Sequence, residues 1–490
     1  MSTHHLLQAL SLLFSLPLLS ATPHHQQDQE TTTPITRFQQ YLRINTAHPN
    51  PDYSSAISFL QSQSQLLNLT AHLLHFSPSK PLLLLTWPGS NPSLPSILLN
   101  SHLDSVPAEP SKWLHPPFSA LRDPSSGHIY ARGAQDDKCI GLQYLEAIRV
   151  LQSQFNYKPT RTIHISYVPD EEIGGFDGMM AFVRSKEFEV LNLGFVLDEG
   201  QASMGDEYRV FYADRSPWHV VVRATGTPGH GSRMFDGGAV ENLMRSVEVM
   251  SRFRENQLDL VKAGLAGYSD VVSVNPVYLK AGIPTPDGFV MNMQPSQAEA
   301  GFDIRFSPTT DSDLLKKKIA DEWAPASRNM SFEVCLQKGC TSAKSGPDIA
   351  FQPSSSYVAY ERIIYEWLIN LAEEYLVIFI TEKGPLRDYL GRPLMTATDD
   401  SNPWWPIFKQ AVEAAGGKLS KPEILASTTD ARFTRQMGIP TLGFSPMKNT
   451  PILLHDHNEV FLKDSVYLEG IKVYVSVIKS LSSFEGAVSL

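Results

Sequence analysis

Short apolar runs recur along the chain, each closed by polar or turn-forming residues. S-I-L-L-N (96–100), T-I-H-I-S-Y-V (162–168), L-G-F-V-L (193–197) and P-T-L-G-F (440–444) predict buried strands. Between the first two, I-G-L-Q-Y-L-E-A-I-R-V-L sets Ile140, Tyr144, Ile148 and Leu151 on one helical stripe. Strands alternating with helices predict an α/β sheet covered on both faces. From about 213 to 310 the texture changes. A strand, W-H-V-V-V-R-A-T-G, leads to a helix, V-E-N-L-M-R-S-V-E-V-M. Further strands end in A-G-F-D-I-R-F, and D-L-L-K-K-K-I-A-D-E-W predicts a last helix. That order suits a small α+β domain inserted into the larger one. The α/β pattern resumes after D-D-S-N-P-W-W at 399–405.

The N-terminus stands apart from this pattern. Residues 6–22, L-L-Q-A-L-S-L-L-F-S-L-P-L-L-S-A-T, have the apolar core and small-residue end of a secretory signal cleaved near Ala21. Pro17 and the short length disfavour a stable membrane span. His4 and His5 stand where such signals usually carry Lys or Arg. Residues 23–32 read as a polar linker. On the secretory route, Asn68 (N-L-T) and Asn329 (N-M-S) become glycosylation candidates.

Bulk numbers narrow the class. The 490 residues are 42% hydrophobic and 19% charged, which fits a globular protein with a full core. A net charge of −10 without a basic stripe argues against nucleic acid. Three cysteines, Cys139, Cys335 and Cys340, make no disulfide framework.

Chemistry gathers where the strands end. S-H-L-D supplies His102 and Asp104, whose side chains fall on one face, so the Asp104 carboxylate is expected to fix the His102 ring. R-G-A-Q-D-D-K-C puts Asp136 just before a helix, V-P-D-E-E-I-G-G supplies Asp170, Glu171 and Glu172, and L-D-E-G supplies Asp198 and Glu199. In open α/β sheets, ligands collect at the carboxyl ends of strands. A cluster of acids there is tolerable if one or two divalent cations lie among them. The histidine–carboxylate mix suits zinc, with manganese or cobalt as alternatives. One of Glu171 and Glu172 then ligates metal and the other accepts a proton from water; the residues alone leave the order open. Gly174 and Gly175 permit the tight turn.

Seven motifs in order, S-H-L-D-S-V-P, R-G-A-Q-D-D-K, V-P-D-E-E-I-G-G, L-D-E-G, G-T-P-G-H-G-S, S-T-T-D-A-R-F and L-L-H-D-H-N-E, resemble the dinuclear zinc amidohydrolases of the aminoacylase/carboxypeptidase G2 family. The likeness covers residues 33–334 and 381–485. It implies an α/β catalytic domain of the zinc-peptidase type with a central mixed sheet, in two parts (33–211 and 397–485). A ferredoxin-like α+β lid and dimerisation domain (212–396) lies between them. It also implies two Zn2+ ions per subunit, bridged by Asp136, with His102 and Glu199 on one and Glu172 and His455 on the other. Glu171 becomes the general base and Asp104 the orienting acid. His230, acting across a homodimer, becomes the oxyanion donor; by itself its G-H-G context reads as a turn. Arg432 becomes the clamp for a substrate α-carboxylate, with Asn292 and Arg305 as weaker substrate-binding candidates. The implied reaction is hydrolysis of N-acyl-L-amino acids. Alternatives are a dinuclear zinc dipeptidase, an acetylornithine- or auxin-conjugate-type amidohydrolase, and a non-catalytic metal-containing binding protein. The resemblance points to the cytoplasm, whereas the leader points to the secretory lumen or exterior. The chain departs from the family at residues 335–380, an atypical insert whose middle is expected to pack poorly.

Overall fold

The computed structural model describes residues 33–336, 339–341, 387–461 and 463–486. The leader, the linker and nearly all of the 335–380 insert lie outside the described residues. Within them, the elements used below are β1 (Thr70–Ser77), β2 (Lys80–Trp87), β3 (Ser96–His102), β4 (Ile163–Val168), β5 (Leu193–Asp198), β6 (Val210–Asp214), β7 (Ser216–Thr225), β8 (Ser273–Ala281), β9 (Gln297–Phe306), β10 (Met330–Leu336), β11 (Gly339–Thr341), β12 (Glu423–Leu425) and β13 (Thr441–Phe444). The helices are α1 (Pro34–Leu42), α2 (Tyr53–Leu66), α3 (Lys138–Phe155), α4 (Ala239–Lys262), α5 (Ser312–Lys318), α6 (Trp404–Ala414), α7 (Ala431–Gln436) and α8 (Asp464–Ser483).

Eight strands form one mixed sheet in the order β1-β2-β4-β3-β5-β13-β6-β12. Its centre, β4-β3-β5-β13, is parallel, and the flanking β2–β4 and β13–β6 pairs are antiparallel. Strands β3, β4 and β5 are buried along their whole length, which is why they read as unbroken apolar runs. Ile140, Tyr144, Ile148 and Leu151 of α3 are fully buried in the main core. Thr33 caps α1, which has proline in its first turn, and Asp52 caps α2.

Between β6 and β12 the chain builds a second sheet, β8-β9-β7-β10-β11, antiparallel throughout. Its succession β7-α4-β8-β9-α5-β10 is the split β-α-β pattern expected of a ferredoxin-like unit. Trp218, Val220 and Val222 of β7 pack with Leu243 and Met250 of α4 in a core of their own. One expectation needs correcting. The run D-L-L-K-K-K-I-A-D-E-W is not one α-helix: α5 stops at Lys318 and a π-helical turn, Ile319–Trp323, follows. Wider winding there accompanies full burial of both Ile319 and Trp323. Among the described residues, no helix is long and apolar enough to cross a membrane.

Candidate metal centre

Three parallel strands and one helix start converge on the site. His102 closes β3, the acidic turn follows β4 through Pro169, Glu199 follows β5, and Asp136 lies two residues before α3. His455 comes from the loop after β13. His102 Nε2 lies 3.0 Å from Asp136 Oδ1 and 3.7 Å from Glu199 Oε1. His455 Nε2 lies 3.3 Å from Asp136 Oδ2 and 3.0 Å from Glu172 Oε2. Two triads result, His102–Asp136–Glu199 and Asp136–Glu172–His455, the ligand atoms of each within 4.8 Å of one another. Asp136 belongs to both, one oxygen facing each histidine.

Neighbouring side chains hold these groups in place. His102 Nδ1 is 2.9 Å from the Asp104 carbonyl oxygen, against 3.4 Å from its carboxylate. The backbone carbonyl thus shares the ring with the carboxylate expected from the H-x-D spacing. The Asp104 carboxylate also accepts the backbone N–H groups of Glu171 (3.2 Å) and Glu172 (3.1 Å) and faces His48 Nε2 at 2.8 Å. It aims the acidic turn. Asp170 closes the same turn by accepting from the Gly178 N–H at 2.8 Å and Lys80 Nζ at 2.9 Å. Gly174 and Gly175 adopt φ of +107° and +66°, the region in which glycine is favoured. Buried Glu459 accepts the N–H groups of Gly133, Gln135 and Asp136 and Arg132 Nη1 at 2.7 Å, so it pins the loop that carries Asp136. Asp137 accepts from Ser101 Oγ at 2.7 Å, and the Asp136–Asp137 peptide is cis.

The charges fit cations. Burial, then the charge of Asp136, lifts the carboxyls of Glu172 and Glu199 above the usual range. Burial likewise lifts Glu171 well above it, helped by the charges of Asp430 and Glu172. Asp136 is held low despite its burial by hydrogen bonds with His102 and His455. His455 is pushed up to about 10 by its hydrogen bonds to Asp136 and Glu172. Protons are thus drawn onto the histidines and kept on buried carboxyls. A divalent cation in each triad satisfies the same donors without them. Nitrogen and oxygen ligands in triads of this composition suit zinc.

Beside the triads opens a cleft of about 170 Å³ lined by Glu171, Glu172, His455 and Arg432. Arg305 and His219 of the small sheet close its other side. Arg432 donates to the carbonyls of Thr429 (3.0 Å) and Gly174 (2.8 Å), tying the start of α7 to the acidic turn. His230 and Asn292 do not line this cleft. They lie together on an exposed ribbon, the Gly231 N–H donating to the Asn292 carbonyl at 2.7 Å. Arg305 is paired with Asp303 at 2.7 Å. Sequence reasoning missed His48, His219 and the anchoring work of Glu459. Only Glu459 left a signal, four residues after His455 in the same motif.

The family model described as Peptidase family M20/M25/M40 matches residues 98–480. The chain belongs to that family. Among M20 relatives it is 40% identical over 459 residues to Aminoacylase-1 of Mus musculus, covering 93% of this chain and 97% of that protein. It is 39% identical over 459 residues to Aminoacylase-1 of Dictyostelium discoideum, covering 92% and 98%. The fold is that of an M20 family metallo-carboxypeptidase from Sulfolobus solfataricus (TM-score 0.60, 16% identity, 92% of this chain and 99% of that one).

Proposed function

We propose that this M20 enzyme hydrolyses the amide bond of N-acyl-L-amino acids, releasing a carboxylate and a free L-amino acid. It is a metal-dependent amidohydrolase. The observation that carries the reading is the pair of triads sharing Asp136 beside a cleft lined by Glu171, Glu172, His455 and Arg432.

In this reading His102, Asp136 and Glu199 hold one Zn2+ and Asp136, Glu172 and His455 a second. When bound, such ions supply Lewis acidity, activating an attacking water and polarising the amide carbonyl. Glu171 is the base. Its carboxylate lines the cleft and accepts no hydrogen bond from the described residues, whereas Glu172 is engaged by His455 and the Val106 N–H. Glu171 takes the proton from water and returns it to the departing amine. Asp104 keeps both glutamates aimed through their backbone N–H groups. Arg432 takes the substrate α-carboxylate, a role suited to a guanidinium. Arg305 faces it from the lid.

His230 serves the cleft of a second copy, as oxyanion donor in a homodimer, with Asn292 beside it. Its exposure outside its own cleft supports this. The 1–22 segment directs the chain to the secretory lumen, and the chain divides into domains at 33–211, 212–396 and 397–485.

Turnover of N-acetyl-L-methionine against Ala-Gly tests the substrate class. Faster cleavage of the acetylated amino acid is expected; preference for Ala-Gly would make the chain a dipeptidase.

A further inference from the structure

We propose that a cavity at the junction of the two sheets, behind the cleft, binds a small oxyanion through Arg215 and Arg254. The cavity measures about 310 Å³; its polar lining is Arg215, Arg254 and Arg305, one carboxylate, Asp303, and Gln257, Ser273 and Asn275. Arg215 is the single residue between β6 of the large sheet and β7 of the small one. Its backbone N–H donates to the Leu425 carbonyl at 3.1 Å, and its Nη2 crosses to Ser273 Oγ at 2.8 Å and the Val271 carbonyl at 3.0 Å.

Only 5% of Arg215 is exposed, yet it pairs with no carboxylate among the described residues and its Nε has no hydrogen-bond partner. A buried, unpaired guanidinium is costly, and the cost falls when an anion joins it. Asp303, which also lines the cavity, forms no ion pair with Arg215, because it already accepts two bonds of 2.7 and 3.0 Å from Arg305 and faces His219 at 3.7 Å. That couple is close to neutral. Arg254 adds a second cation; Nε donates to Asn275 Oδ1 at 3.1 Å, and among the described residues it has no carboxylate partner either. Two guanidinium groups, a hydroxyl and side-chain amides around one cavity form a receptor for a carboxylate or a tetrahedral oxyanion. Because Arg215 spans the two sheets, an anion there also braces the lid against the catalytic body.

The test titrates the full-length, metal-loaded enzyme with sulfate and, separately, with acetate, following heat release and melting temperature. At least one of the two should bind saturably at one site per chain and raise the melting temperature. A stronger response to sulfate identifies a tetrahedral ligand; a stronger one to acetate identifies a carboxylate. Arg254→Gln, on an exposed helix face, should weaken that binding about tenfold, the loss of one charge-assisted contact. Its amide turnover should be unchanged, which also reports correct folding. Arg432→Gln, in the cleft, should leave anion binding intact. No saturable response to either anion, an equal response in Arg254→Gln, or a response abolished by Arg432→Gln would overturn the proposal.

Discussion

Glu171 and Glu172 are adjacent, yet their surroundings assign them different work. Glu172 sits 3.0 Å from His455, and Glu171 faces open cleft. Glu171→Gln should keep the metal content and lower kcat on N-acetyl-L-methionine by about 10²- to 10⁴-fold, the usual contribution of a general base. Unchanged turnover would remove Glu171 from that role. Away from the site, His164 tests the pH response. It lies in the middle of the large sheet against Thr86 Oγ1 at 3.0 Å, and burial depresses its pKa from 6.5 to about 4. The unfolded chain therefore protonates this ring first as pH falls. Its contribution is complete above pH 6.5 and is lost progressively down to about 4. The loss amounts to about 3 kcal/mol. His164→Asn should lose less stability than the parent between neutral pH and the acid end of that window, read as the difference in melting temperature. An equal drop in both proteins would contradict the assignment.

At the scale of elements, α3 matters because the Asp136–Asp137 pair immediately precedes its first turn and lies against β3. Gly141 makes the close approach possible: a Cβ there would meet Ser101 Oγ at 2.4 Å and the Tyr167 ring at 2.8 Å. Ser101 is also the residue that donates to Asp137. Gly141→Ala should cost about 1–3 kcal/mol through overpacking. It should also weaken metal affinity, measured by competition with a chelating dye; a variant that melts and binds metal like the parent would show the contact to be slack. Much of this level was legible in the sequence. Strands β3, β4 and β5 are buried on both faces, so their apolar runs are continuous, and α3 kept its stripe at Ile140, Tyr144 and Ile148. His102, Glu172 and Glu199 were legible because each closes or follows such a run, whereas Asp136 was marked by the helix start after it and His455 only by the family resemblance. Supporting contacts were not. His48 reaches Asp104 across 56 positions, and Arg305 and His219 reach the cleft only because the small sheet folds over it. Nor does residue spacing distinguish a carbonyl from a carboxylate as the partner of His102.

At the scale of the molecule, the small domain exposes Met234, Val277, Leu279, Phe289 and Met291, and the proposed homodimer is testable there. If His230 acts across a homodimer as proposed, mixing and re-equilibrating two inactive chains, Glu171→Gln and His230→Ala, should restore part of the turnover. Heterodimers then contain one site with both residues intact; mixtures that stay inactive would place His230 elsewhere. The proposed passage through the secretory lumen makes a separate prediction. Asn68 and Asn329 are both exposed, so a chain expressed with its leader in eukaryotic cells should lose mass on glycosidase treatment. A secreted chain of unmodified mass would reject glycosylation, and a cytosolic one would reject the leader. Beneath the catalytic predictions lies the pair of triads around Asp136. Elemental analysis of the active enzyme, repeated after exhaustive chelation, tests it most directly. Two zinc equivalents per chain are expected, lost together with turnover and regained with it on adding zinc back. Full turnover by metal-free protein would contradict the account.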